Sequence, residues 1–293
     1  MTDHSDKLEE LLSLTERQMD DDGIHKTSIK DVGIFRASTP GAQNHEQYEP
    51  SVLIVAQGTK RCHVGDKTYE YGRGKLLMVF MPMPVQTEIL AATPDQPFLA
   101  VGMRLDMARL AEMLLRIEQA EGAHTHPVST EPTGIFAADV SEKLLDPFIR
   151  LMETLDNPTD AAILGPQIVD EIYYRLLSTQ RGGDLRTFLQ QRGQMQRISK
   201  AVQHIQQNVA EPVSVEKLAE MVNMSRTSFH ENFKEIMHVS PLQYAKSVKL
   251  MKAQALLREG KNASEAGYSV GYNSPAQFSR EYKRHFGYVP SAT

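Results

Sequence analysis

Ser225-Arg-Thr-Ser-Phe-His-Glu-Asn-Phe-Lys-Glu-Ile-Met237 sets Phe229, Phe233 and Ile236 at i, i+4 and i+7 and leaves Thr227, His230, Glu231 and Lys234 facing away from them. That spacing predicts an amphipathic helix with a polar outer face. Just upstream, Val213-Ser-Val-Glu-Lys-Leu-Ala-Glu-Met-Val222 has apolar residues at 215, 218, 219 and 222, with Ser214 placed as an N-cap. Asn223-Met224 then reads as a tight turn. Helix, short turn and polar-faced helix form a helix-turn-helix unit, whose second helix is shaped to enter a major groove.

The pattern recurs 49 residues on, pairing Ser225 with Ser274, Phe229 with Phe278, Phe233 with Tyr282, Lys234 with Lys283 and Pro241 with Pro290. In the second copy, Ala266-Gly-Tyr-Ser-Val-Gly-Tyr-Asn273 supplies the first helix and turn, and Ser274-Pro275 fixes the start of the second helix. Between the copies, Ser240-Pro241 opens a helix predicted to run to about Glu259 and to stop at Gly260. At 1.5 Å per residue it is roughly 28 Å long. Successive major grooves on one face of DNA lie about 34 Å apart, so one chain built this way reaches two of them.

Charge agrees with this division. Residues 1–193 carry 19 Lys and Arg against 29 Asp and Glu, whereas residues 194–293 carry 13 against 8, so the halves have net charges of −10 and +5. A basic module on an acidic one suits a phosphate backbone, because Lys and Arg displace its condensed counterions. Composition at 41% hydrophobic and 24% charged excludes disordered and fibrous classes. The longest apolar runs, Val52–Ala56 and Leu76–Met81, are far too short to span a bilayer, and MTDHSDKLEE lacks an apolar signal segment. A cytoplasmic location with no membrane partner is expected. A lone cysteine, Cys62, makes neither an internal disulfide nor a thiolate zinc cage.

The N-terminal half has a different texture. A short leading helix is expected over Asp6–Met19. From Ile24 to about Met103, β-branched and aromatic segments are broken at Thr39-Pro-Gly, Gln57-Gly, Val64-Gly-Asp, Tyr71-Gly-Arg-Gly and Thr93-Pro-Asp. Closely spaced turns without long helices predict a compact all-β barrel or sandwich. Helical periodicity returns in Met107–Ile117, Val140–Leu155 and Ala162–Leu177, around a polar loop at Gly122–Gly134. The fold class is therefore α+β in two domains. A sensor domain with a helical packing or dimerisation segment is expected over 1–178, a linker over 179–194, and an all-α domain over 195–293.

Ser240-Pro-Leu-Gln-Tyr, the run Val270-Gly-Tyr-Asn-Ser-Pro-Ala-Gln-Phe-Ser-Arg-Glu-Tyr-Lys-Arg-His-Phe-Gly287 and the closing Pro290 resemble the AraC/XylS family of bacterial transcription regulators. Gly33-Ile-Phe-Arg, Tyr48-Glu-Pro-Ser, Gln57-Gly-Thr-Lys, Val64-Gly-Asp and Phe98-Leu-Ala-Val resemble the regulatory domain of one branch of it. The resemblance implies a cupin-like β-barrel that senses a signal and a double helix-turn-helix domain that binds promoter DNA. It points to Thr227, His230 and Glu231 on the first recognition helix and to Gln277, Ser279 and Arg280 on the second. Ser225, Arg226, Lys234, Ser274, Lys283 and Arg284 complete the expected DNA-binding set, the lysines and Arg284 as phosphate contacts. Arg280 is suited to guanine and Gln277 to adenine. Glu231 departs from the Arg or polar residue often found there, and its carboxylate is repelled by phosphate. Gln277 has a competing role, since Ser274-x-x-Gln277 also reads as a capping box.

Expected partners are promoter DNA, a small-molecule effector, RNA polymerase and a second copy of the chain, with no cofactor or metal. Arg36, Tyr48, Gln57, Lys60, Cys62, Met81, Met83 and Arg104 are the effector-binding candidates, subject to strand register, because one slip turns every side chain over. Cys62-His63 reads more simply as a buried or unreactive cysteine than as a metal or redox sensor, because a sensor thiol needs an activating electropositive pocket. His124-Thr-His126 has no third ligand at a metal-binding spacing. Two other readings stand beside the regulator: a cupin-type metal-dependent enzyme with an accessory helical domain, and a protein-interaction module.

Overall fold

A computed structural model describes residues 4–41, 44–121, 133–179, 182–189 and 194–293. Helix α1 (His4–Glu16) leads into strands β1 (Gly23–Lys26), β2 (Val32–Ala37), β3 (Asn44–Tyr48), β4 (Ser51–Gln57), β5 (Thr59–Val64), β6 (Lys67–Gly72), β7 (Lys75–Val79), β8 (Met83–Ala91) and β9 (Phe98–Arg104). Then come α2 (Met107–Glu121), β10 (Ile135–Asp139), α3 (Glu142–Glu153), α4 (Pro158–Ile163), α5 (Gly165–Leu177) and α6 (Gly182–Leu189). The strands form two antiparallel sheets, ordered β1-β2-β9-β4-β7-β10 and β3-β8-β5-β6. Alternation aims side chains across the space between the sheets: on β5, Lys60, Cys62 and Val64 are buried, whereas Arg61 and His63 are less so.

Helix α1 buries Leu8, Leu11, Leu12 and Leu14 in the same core as the sheets, and α3 and α5 add Leu145, Phe148, Ile172 and Leu176. Strand β10 lies outside the region expected to be β. It runs antiparallel to β7, from Ile135 opposite Val79 to Asp139 opposite Lys75. Helix α6 falls inside the expected linker and buries Leu185 completely. His124 and His126 lie outside the described residues. Among the described residues, no three His, Cys, Asp or Glu side chains are grouped to hold a metal, and no helix is long and apolar enough to cross a membrane.

The C-terminal half is α7 (Gln194–Gln207), α8 (Val215–Met221), α9 (Arg226–Met237), α10 (Pro241–Arg258), α11 (Ala263–Ser269) and α12 (Pro275–Phe286). The internal repeat is visible as α8-α9 and α11-α12. First helices are displaced by 48 residues and second helices by 49, because the second turn carries one extra residue, Asn273. Leu218 of the first unit corresponds to Ala266, and Ala219 to Gly267. A Cβ on Gly267 would stand 3.0 Å from the Phe278 ring, so glycine lets α11 lie closer to its partner.

The first unit shares one continuous core with the barrel, through Leu218, Phe229, Phe233, Ile236 and Tyr244. The second has its own core of Leu250, Ala253, Ala266, Val270, Phe278 and Tyr282. Polar contacts cross the seam as well: Gly134 N donates to Ile236 O (3.1 Å) and Tyr244 OH to Pro82 O (2.9 Å). His238 Nε2 lies 3.0 Å from both Tyr69 OH and Thr133 Oγ1. The β5–β6 turn comes so near that a Cβ on Gly65 would lie 1.7 Å from the His238 carbonyl oxygen.

Candidate nucleic-acid interface

Both recognition helices are fixed at their starts by serine. Ser225 Oγ accepts from Ser228 N at 3.2 Å, and Ser274 Oγ accepts from Gln277 N at 3.3 Å, with Pro275 at the first helical position. Each bond satisfies one of the donors a helix start leaves free. Their ends are set by left-handed residues, His238 at φ 58° and Gly287 at φ 86°. Helix α10 carries a complete capping box, Ser240 accepting from Gln243 N and Gln243 Oε1 accepting from Ser240 N.

On α9, Phe229, Phe233 and Ile236 are buried, and Thr227, His230, Glu231 and Lys234 are exposed. Ser225 and Arg226 are exposed at its start, and the Arg226 guanidinium pairs with Glu216 of α8 at 2.9 Å. On α12, Phe278 and Tyr282 are buried, Gln277, Arg280, Lys283 and Arg284 are exposed, and Ser274 and Ser279 are half-buried. The two helices thus present similar polar strips, the second more basic.

Gln277 differs from the capping-box reading. Its backbone N–H makes the Ser274 bond, but its side chain turns along the helix and donates to Glu281 Oε1 at 3.3 Å. Glu281 also accepts from Tyr272 OH (3.0 Å) and pairs with Lys246 of α10 (2.7 Å). Burial pulls its pKa up, but the bonds from Lys246, Gln277 and Tyr272 outweigh burial and hold the carboxyl below its ordinary value. This carboxylate therefore anchors α12 to α10 and orients Gln277.

The effector-binding candidates separate in space. Lys60 is buried between the Phe35 and Tyr48 rings, 4.8 and 5.6 Å from their centroids, with Glu46 at 3.6 Å. Burial lowers its pKa against the pull of Glu46. Tyr48 OH lies 3.3 Å from Tyr71 OH. Cys62 is fully buried, and burial pushes its thiol up to about 12. Tyr48, Lys60 and Cys62 therefore belong to one interior cluster. Arg36 instead pairs with Asp22 at 2.5 Å, Gln57 donates to Pro97 O at 3.0 Å, and Arg104 is exposed. Met81 and Met83 are buried beside Gly134, next to the first helix-turn-helix unit.

A two-sheet N-terminal half joined to two capped, polar-faced helix-turn-helix units defines the class of the protein as a helix-turn-helix regulator with a β-rich N-terminal domain. The chain belongs to the AraC-type transcriptional regulators: the family's N-terminal domain matches residues 28–184, more than half of the chain, and a helix-turn-helix domain matches residues 218–293. It is similar to the lactose operon transcription activator of Staphylococcus xylosus, with 23% identity over 246 residues, 83% of each chain. It also resembles the transcriptional regulator AlkR of Acinetobacter baylyi, with 35% identity over 94 residues, 32% of this chain and 31% of that protein. To ArgR of Pseudomonas aeruginosa it is 30% identical over 95 residues, 32% of this chain and 29% of the relative, so the match spans less than a third of that protein's length. In fold it is similar to ToxT of Vibrio cholerae bound to a naphthyl butenoic acid, with a TM-score of 0.58 at 11% identity over 89% of this chain and 96% of that one.

Proposed function

We propose that this protein is a sequence-specific DNA-binding transcription regulator that reads two elements of a promoter and takes a small-molecule effector in its N-terminal barrel. The observation that carries the reading is the paired presentation of α9 and α12: two serine-capped helices, each buried on its aromatic side and exposed on its polar side, held apart by α10. Arg280 donates two hydrogen bonds to guanine, Gln277 and Thr227 contact base edges, and Lys234, Lys283 and Arg284 neutralise phosphates. Ser225, Arg226 and Ser274 at the helix starts serve the backbone, while His230, Glu231 and Ser279 complete the strips.

Effector binding falls to Tyr48, Lys60 and Cys62, because these candidates share the barrel interior with Phe35, Glu46 and Tyr71. Occupancy acts by favouring one arrangement of barrel and reader, which requires unequal affinity for the two. The domain division at 178 and 195, a cytoplasmic location, homodimer formation and contact with RNA polymerase belong to the same proposal. The relatives are regulators, and the chain is read as one rather than as an enzyme.

Selection of full-length protein on a genomic DNA fragment library at several salt concentrations tests this reading. Enrichment of a site with two elements about one helical turn apart, weakening steeply with salt, is the expected result. Binding that ignores sequence, or that is insensitive to salt, overturns it.

A further inference from the structure

Three histidines lie where barrel and reader meet. His45 on β3 stacks on His285 near the end of α12, ring centroids 4.2 Å apart, and Phe286 packs edge-on to His45 at 5.2 Å. His285 Nε2 is buried with no hydrogen-bond partner among the described residues, while His45 Nε2 lies 2.7 Å from the Gln86 amide. His238, the residue ending α9, inserts its Nε2 between Tyr69 and Thr133 of the barrel half.

We propose that this seam is a proton-linked latch: opening it delivers protons to His45, His238 and His285, so that mild acidification releases the reader from the barrel. The inference rests on the seam alone and needs neither DNA nor effector.

The surroundings oppose charge on each ring. Burial holds all three histidines below their ordinary pKa, His285 at about 4, where His45 and Lys246 add to the effect of burial. Glu281, the acid nearest to Lys246, is already paired with it at 2.7 Å. Around His238, Lys67 at the start of β6 opposes protonation and Asp66 in the β5–β6 turn favours it. Glu49, facing Tyr244 with Arg104 nearby, has its carboxyl raised by burial, so its linkage has the opposite sign and lies in the carboxylate range. The sign for the histidines is definite. A group depressed in the closed form favours closure above its ordinary pKa, and that advantage is lost as pH falls below it.

A histidine kept neutral in the closed form, and titrating near 6.5 once exposed, shifts the opening equilibrium about fourfold between pH 7.5 and 6.0. His285 alone meets that condition, so the expected shift is at least about fourfold and reaches about fiftyfold if His45 and His238 contribute fully. Gly134 N–H, bonded across the seam to Ile236 O, is the reporter. The experiment is amide hydrogen exchange on the full chain by NMR at pH 7.5 and 6.0, corrected for intrinsic rates, together with titration of the histidine ring resonances. The proposal expects Gly134 protection to fall by this factor while amides of central strand β9 keep theirs, and all three histidines to titrate below 6.5. The double variant His45→Gln/His285→Gln should remove at least the fourfold part of the pH dependence that His285 carries, while His238→Asn, which tolerates the left-handed backbone, should remove only the share of His238 and leave that of His285. Gly134 protection independent of pH, an equal fall in β9, or ordinary titration of the three rings in the wild-type chain overturns the proposal.

Discussion

Replacing Gly65 by alanine drives a methyl group into the seam. Gly65 occupies the first position of the two-residue turn between Val64 and Lys67, at φ 59°. Two costs follow. Holding a Cβ in the left-handed region costs about 1–2 kcal/mol wherever it occurs. The new Cβ also stands 1.7 Å from the His238 carbonyl oxygen. An ordinary C···O contact is about 3.3 Å, so the end of α9 must withdraw by about 1.6 Å. That displacement breaks the His238 contacts with Tyr69 and Thr133 and the Gly134–Ile236 bond. At about 0.5–1.5 kcal/mol each, the loss of these three weakens the seam by about 1.5–4.5 kcal/mol. Gly260→Ala is the internal control, because Gly260 has φ 96° and a Cβ added there would meet nothing within 4 Å. Urea unfolding measures total stability, and Gly134 amide exchange measures the seam. Gly65→Ala is expected to lower Gly134 protection at least about twelvefold, the equivalent of about 1.5 kcal/mol, while Gly260→Ala leaves it unchanged. Equal destabilisation by both substitutions with Gly134 protection intact refutes the close approach.

Arg280→Ala should weaken binding to the selected DNA site by about 1–3 kcal/mol and relax preference at one base pair, whereas Lys283→Ala should weaken all sequences alike and reduce the salt slope by about one; fluorescence anisotropy across a salt series separates them. Phe233 is fully buried between Phe229 and Tyr244, so Phe233→Ala should cost about 3–5 kcal/mol in urea unfolding. Cys62, with its thiol pushed up to about 12, should be inert to a disulfide reagent at pH 8 until the chain is unfolded, and native reaction at a free-thiol rate would contradict its burial. Because the folded pKa is the higher one, its contribution to stability is full below the ordinary value of 9.0 and is lost as pH rises towards 12. Ser240→Ala removes half of the capping box of α10 and should cost about 0.5–2 kcal/mol, read from thermal unfolding.

What the sequence disclosed follows from the range of the interactions. Caps, turns and the spacing of Phe229, Phe233 and Ile236 are local, so both helix-turn-helix units and their exposed polar strips are legible residue by residue. Alternation on β5 likewise separates Lys60 and Cys62 from Arg61 and His63. On β4, a register shift between Val55 and Gln57 breaks the alternation on which an inward reading of Gln57 depends. On β2 the Phe35 ring packs on Lys60 inside, so alternation turns the neighbouring Arg36 to the other face, where it pairs with Asp22. Strand β10 is a short run, Ile135-Phe-Ala-Ala-Asp139, whose identity comes from pairing with distant β7. Gln277 had two local partners available, and the choice was made by Glu281 together with Lys246 and Tyr272, contributed by other elements. The meeting of His45 with His285 joins opposite ends of the sequence and leaves no trace in either segment.

The division of the hydrophobic core has a consequence for exchanging parts between regulators. Packing changes hands inside α10, with Val248 still in the core shared with the barrel and Leu250 already in the second unit's own. A chimera cut before α7 transplants a first unit whose buried face was shaped by a different barrel, so the graft inherits mismatched surfaces at Phe233, Ile236 and Tyr244. A chimera joined within α10 keeps that fit and leaves the second unit to reproduce the contact of His285 and Phe286 with His45. The natural module for altering DNA preference is therefore half of the reader, and its splice point is a helix rather than a loop.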